Sequence, residues 1–226
     1  MMPKAAISAF AVLTFLAAPA AAQDTDQQFI SAFEAPLPST PEDRSFVHQF
    51  GTCAAGSQQF YAKDVLRSLP ASGPSDKALF WMVMSSNSCG KGKTYNFNPR
   101  ALRGPVVESY LKRDFDLDAW KSKRSPVKTF AMPTIGELEK LSADQRAAVV
   151  MLAVGACVFK AAPAHVGALL RTSVSSPQEG AAVAALAQPL STCVPAGSQL
   201  KMSRFQLRGY VAEAAYRSAA APPEGR

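Results

Sequence analysis

The 226-residue chain carries 24 Lys and Arg against 17 Asp and Glu, two His and four Cys, a net charge of +7. It is long enough to bury a sizeable core, as one domain or two small ones. Its apolar run Ala5–Leu16 is too short to span a bilayer, and no later stretch reaches that length without charge, so the composition excludes a transmembrane span.

Residues 1–22 read as a secretory signal. Lys4 is the positive start, Ala5–Leu16 the apolar run, and Ala20-Ala21-Ala22 a small-residue cleavage site before Gln23. The processed chain is then periplasmic or secreted. Residues 23–39 form a leader whose Phe29, Ile30 and Phe33 precede Pro36 and Pro38 and are expected to dock on the body.

From Thr40 onward the sequence repeats. Leu102–Glu108 reads L-R-G-P-V-V-E and Leu207–Glu213 reads L-R-G-Y-V-A-E, five of seven positions alike at an offset of 105. Cys53 and Cys89 are 36 apart, as are Cys157 and Cys193, each shifted by 104. A tandem duplication follows, with residues 40–112 and 142–217 as its copies. Four cysteines in an exported chain predict two disulfides, and three pairings are possible. A unit that once folded alone would have closed its own bridge, which favours Cys53–Cys89 and Cys157–Cys193. Each closes a loop worth about 4 kcal/mol in the chain-entropy model. No C-x-x-C pair or C-x-H cluster is present, so neither a metal nor another cofactor is expected.

In each copy the pattern predicts about four helices. Thr40, Pro41, Glu42 and Asp43 give a capped, acidic start, and Ser142 with Gln145 gives a capping box. Phe46, Phe50 and Cys53, and in the second copy Val150, Val154 and Cys157, fall at helical spacing and predict a buried face that includes the cysteine. Short helices follow over 60–69 and 163–172. Third helices carry Leu79, Met82 and Val83, or Val183 and Leu186, and end near Cys89 and Cys193. The fourth helices start after Asn98 and Ser203 and hold the repeated segment. Glu108 stands four residues before Lys112, and Glu213 four before Arg217, the favourable order for helical ion pairs. The fold class expected is all-α: two tandem pseudo-repeats, one disulfide each, packed as one body.

The connector 113–141 has no counterpart. It is basic and aromatic in turn, with a short helix expected within 135–141, and residues 218–226 read as a disordered tail. Residues 91–128 hold ten basic and four acidic residues. Lys121, Lys123, Arg124 and Lys128 are the candidate binding patch, either plain solvated surface or a site for an envelope protein, anionic lipid, lipopolysaccharide or cell-wall polymer. Export without a nucleic-acid motif argues against nucleic acid.

The repeated Arg103, Glu108, Arg208 and Glu213 allow two readings. In one, helices cross at Gly104 and Gly209 and the Arg and Glu satisfy one another nearby. In the other, they line a ligand cleft. Neither His48 nor His165 is repeated, and no G-x-S-x-G, H-E-x-x-H, P-loop or dinucleotide fingerprint occurs, so no catalytic residue is assigned. Trp81 and Met82–Met84 make an apolar knot, read as core.

The residues Gly155–Cys157 (G-A-C), Pro195–Gly197 (P-A-G) and Leu207–Arg217 (L-R-G-Y-V-A-E-A-A-Y-R) resemble a group of uncharacterised exported proteins of alphaproteobacteria, sphingomonads above all. The resemblance covers most of the processed chain and brings no activity with it. A fainter likeness, in the order cysteine, glycine loop and amphipathic helix over Cys193–Tyr216, is to small disulfide-bonded periplasmic helical proteins such as acid-stress chaperones and type VI secretion immunity proteins. The expected function is that of a non-enzymatic envelope protein binding a protein or an anionic envelope component. The alternative is a secreted hydrolase whose site the sequence does not reveal.

Overall fold

Helix starts in this chain are written by capping residues. The computed structural model describes residues 20–90, 92, 96–194 and 201–221, so the expected signal up to Pro19 and the last five residues of the expected tail lie outside the described residues. Thr40 accepts from the Asp43 N–H and Asp43 returns the bond, opening α2 (Pro41–Ser57) with Pro41 in its first turn. Ser142 and Gln145 do the same for α7 (Ala143–Ala161), and Ser203 and Gln206 for α11 (Arg204–Ala220). The chain before α2 forms α1 (Ala20–Glu34), whose Phe29 stacks on Phe33 and edge-on against Phe80.

After α2 come α3 (Gln59–Arg67), α4 (Gly73–Met84), a 3-10 turn at Asn87–Gly90, a second 3-10 turn at Pro99–Leu102 and α5 (Arg103–Asp114). The second half runs α7, α8 (Pro163–Arg171), α9 (Pro177–Ala185), α10 (Ala187–Cys193) and α11. Between them lie a two-residue antiparallel pair, β1 (Phe115–Asp116) with β2 (Lys121–Ser122), and α6 (Ile135–Leu138), opened by the Thr134–Glu137 capping box. Among the described residues the fold is all-α apart from that pair, and it forms one body around a continuous core. Its disulfides are Cys53–Cys89 and Cys157–Cys193.

Several expectations need correction. Cys53 and Cys157 are exposed, not on the buried face, and Val150 is 52% exposed. Phe50 and Val154 are buried as expected, within inward stripes of Val47, Phe50, Gly51, Ala54 and Ala55 in α2, and Ala148, Val149, Leu152, Val154, Gly155 and Val158 in α7. Small residues there let other helices come close. A Cβ on Gly51 would lie 2.7 Å from Pro105 Cβ, and one on Gly155 would lie 2.7 Å from the Tyr210 carbonyl oxygen.

Prolines account for two further differences. The fourth helix of the first half starts as a 3-10 turn, because Pro105 has no N–H and fits an α-helix only in its first turn, which puts the α-helical start at Arg103. The second half has Tyr210 at that place, and α11 is α-helical from Arg204. The third helix of the second half breaks at Leu186, since Pro189 cannot donate back to Ala185. At the far end, α11 continues to Ala220, into the stretch expected to be disordered.

Among the described residues no single helix is long and apolar enough to cross a membrane. Helices α7 and α8 reach that length and composition only together, and they are bent by 108°.

Candidate functional site

The centre of the molecule is where α5 meets α11. Gly104 and Gly209 face each other so closely that a Cβ on Gly104 would lie 2.7 Å from Gly209 Cα, and one on Gly209 3.0 Å from Gly104 Cα. Each helix carries an Arg one residue before its glycine and a Glu four residues after it, one turn on and on the same face. Crossing at the glycines lays each Glu on the other helix's Arg.

Arg103 Nε and Nη2 donate to Glu213 at 2.8 and 2.7 Å. Its remaining N–H groups reach the Val65 carbonyl at 2.8 Å, Ser75 Oγ at 3.0 Å and the Ser68 carbonyl at 2.9 Å. Arg208 Nε and Nη2 donate to Glu108, both at 2.7 Å, and its other contacts are Thr172 Oγ1, Glu179 Oε1 and the carbonyls of Leu170 and Thr172. A guanidinium has five N–H donors. Both arginines use all of them inside the protein, and neither has a donor left for a ligand. They also close the carbonyl ends of α3 and α8, groups a helix cannot satisfy itself.

Glu108 is the most heavily partnered carboxylate. Lys112 reaches Oε1 at 2.5 Å, and His48 Nε2 lies 3.3 Å from Oε2, in ion-pair range but without hydrogen-bond alignment. Burial opposes its ionisation, but Arg208, with His48 adding, outweighs burial and holds the carboxyl well below the usual range. Burial also works against the Arg208 charge, and Glu108 and Glu179 reverse that, raising its pKa. The expected Glu213–Arg217 pair does not form: Glu213 is taken by Arg103. Arg217 instead lies 3.9 Å over the Phe130 ring and donates to the Phe130 carbonyl, and burial lowers its pKa.

Beside the glycine crossing opens a cleft of about 410 Å³, lined among others by Leu37, Arg100, Asp144, Met151, Tyr210 and Glu213. Its carboxylates are already paired, and exposed Lys201 on its lining makes no ion pair among the described residues. Arg100 bridges Asp76 and Asp144, which raise its pKa, and Arg103 holds Glu213. Burial, with Glu213 nearby, raises the Tyr210 phenol, so it stays protonated at neutral pH. Neither His48 nor Glu108 lines this cleft.

The basic patch is a different kind of surface. Lys121, Lys123, Arg124 and Lys128 are all exposed, and none has a side-chain partner among the described residues. The backbone beneath them is fixed. Lys123 and Arg124 N–H groups donate to the Asp114 carbonyl, and Val127 N–H donates to Tyr216 Oη, which itself donates to Asp114. Burial, with Asp114, raises the Tyr216 phenol. Trp120 sits at φ +49°, a conformation that costs a bulky residue about 1–2 kcal/mol. Its ring contact with Phe159 at 5.0 Å and the Asp118–Arg171 ion pair at 2.7 Å hold the turn.

Thus the repeated Arg and Glu residues come together in the interior, and the four connector cations stay outside. His48, Ser75 and Glu179 belong to the buried clusters but carry no sequence signal for it, since their partners lie 28 to 60 positions away. The Gly51 and Gly155 pair could have been found, because each stands two residues before a repeated cysteine. Among the described residues no group of three His, Cys, Asp or Glu is placed to hold a metal ion. No protein-family model, curated protein or solved structure matches the chain.

Proposed function

We propose that this is an exported, non-enzymatic envelope protein that binds an anionic envelope component through Lys121, Lys123, Arg124 and Lys128. The observation that carries the reading is a cation cluster without internal partners on a backbone that the fold holds in place. Cations needed for folding are used inside, as Arg103 and Arg208 are; these four are not. Two formed disulfides are compatible with an oxidising compartment. The reciprocal Arg–Glu contacts support descent by duplication, and kinship with the alphaproteobacterial exported group belongs to the same proposal.

One contact favours the hydrolase alternative, the approach of His48 to Glu108. Glu108 is nevertheless a poor general base. Its side chain is 2% exposed, and a carboxylate held so far below neutrality has little affinity for a proton.

The test is retention of the processed protein on immobilised lipopolysaccharide and on a soluble polyanion, poly-L-glutamate, at low and high salt. Retention should fall steeply with salt and with replacement of Lys121, Lys123 and Arg124 by Gln. Salt-independent retention, or none, would reject the reading.

A further inference from the structure

We infer that the surface stretch from Ala119 to Gly136 docks the protein on the anionic headgroup surface of a lipid bilayer, with Met132 and Ile135 entering the headgroup layer. This rests on the anion-binding reading above and names its partner. Over these residues the chain has four cations and no acidic side chain. It also exposes two large apolar side chains, Met132 at 40% and Ile135 at 84%. A dissolved polyanion would engage the cations and leave the isoleucine in water. A bilayer uses both, attracting Lys and Arg to its negative surface and removing the apolar side chains from water.

The stretch is pinned where it must be and free where it must reach out. Arg124, Val127 and Phe130 are tied to the body through their main chains, and the Thr134–Glu137 capping box fixes the turn that presents Ile135. Little conformational freedom is then lost on docking. Glu137 and Glu139 follow directly. The Glu137 carboxylate is occupied by the Thr134 N–H and hydroxyl, which hold its pKa low, and exposed Glu139 marks where the docking stretch ends. Four cations and only two apolar anchors give a reversible, salt-sensitive attachment, far short of insertion.

The experiment is co-sedimentation of the processed chain, purified after export, with vesicles of phosphatidylglycerol and phosphatidylethanolamine and with neutral phosphatidylcholine vesicles. Poly-L-glutamate binding is measured in parallel. Binding to the anionic vesicles alone is expected. It should fall about fivefold per cation removed, hence on the order of a hundredfold for the triple Gln variant. Ile135→Ser should weaken vesicle binding about three- to tenfold and leave poly-L-glutamate binding unchanged. Both sites are exposed, so these variants fold. If the polyanion binds but vesicles do not, or Ile135→Ser and Met132→Ser have no effect on vesicles, the bilayer inference fails and the anion-binding reading stands. If neither binds, both fail.

Discussion

The two arginine clusters that join the halves are built on one plan and balanced differently. Arg103 holds Glu213 and closes the end of α3, with neutral Ser75 as its remaining side-chain partner. Arg208 holds Glu108 and closes the end of α8, but at the place of Ser75 it meets Glu179. The second cluster therefore buries one more carboxylate. It also has one more cation, since Lys112 turns onto Glu108 whereas Arg217, at the corresponding place, turns away to Phe130. Counting Arg, Lys and Glu alone, each cluster is balanced, with His48 beside the second. An added buried charge is tolerated where a second charge arrives to meet it.

The largest expected effect follows from that difference. Arg208→Met takes the guanidinium from two buried carboxylates, leaving Glu179 without a cation and Glu108 with only Lys112 and His48, and should cost about 4–5 kcal/mol in urea unfolding with the disulfides intact. Arg103→Met strands one and should cost about 3 kcal/mol. Equal losses would mean that Glu179 is not part of the balance.

Glycines give the next effect. Gly104→Ala puts a methyl against the Gly209 backbone and should destabilise by about 1–3 kcal/mol, although Ala is the better helix former. Gly56→Ala, near the end of α2 with nothing within 4 Å of the added carbon, should instead stabilise by about 0.5–1 kcal/mol. Thermal melts of both separate close packing from propensity.

Acid separates Glu108 from ordinary carboxylates. Its pKa is depressed on folding, so its contribution is complete above the unfolded value of about 4.3 and is lost as pH falls through the much lower folded value. Stability should decline below about pH 4.3, and Glu108→Gln should flatten that decline while lowering stability at neutral pH. An unchanged slope would place the acid sensitivity elsewhere. The smallest effect belongs to the connector: the triple Gln replacement at Lys121, Lys123 and Arg124 should move stability by less than about 0.5 kcal/mol.

Local signals were legible in the sequence and long-range ones were not. Thr40, Ser142 and Ser203 cap helices where their neighbours say they should, because capping is decided within four residues. The disulfides followed from the repeated spacing. The buried faces of α2 and α7 are only partly legible: Phe50 and Val154 turn inward as their spacing predicts, but Gly51, Ala54 and Gly155 bury by being small, which leaves no hydrophobic mark, whereas Cys53, Cys157 and Val150 look apolar and lie outside. Helix α1 was hidden by Pro36 and Pro38, which end it but say little about what precedes them. Glu213 has a basic residue one turn away, and its choice of Arg103, 110 positions distant, depends on the crossing itself.

The most direct test of the clasp between the halves is a double-mutant cycle on Arg103 and Glu213, each replaced by Met. If they are a buried pair across the crossing, each single variant leaves a charge stranded. The double variant should then be more stable than the sum of the two single losses predicts, by about 2 kcal/mol or more. Strict additivity would mean that Arg103 and Glu213 act independently and that the halves are held together by something else.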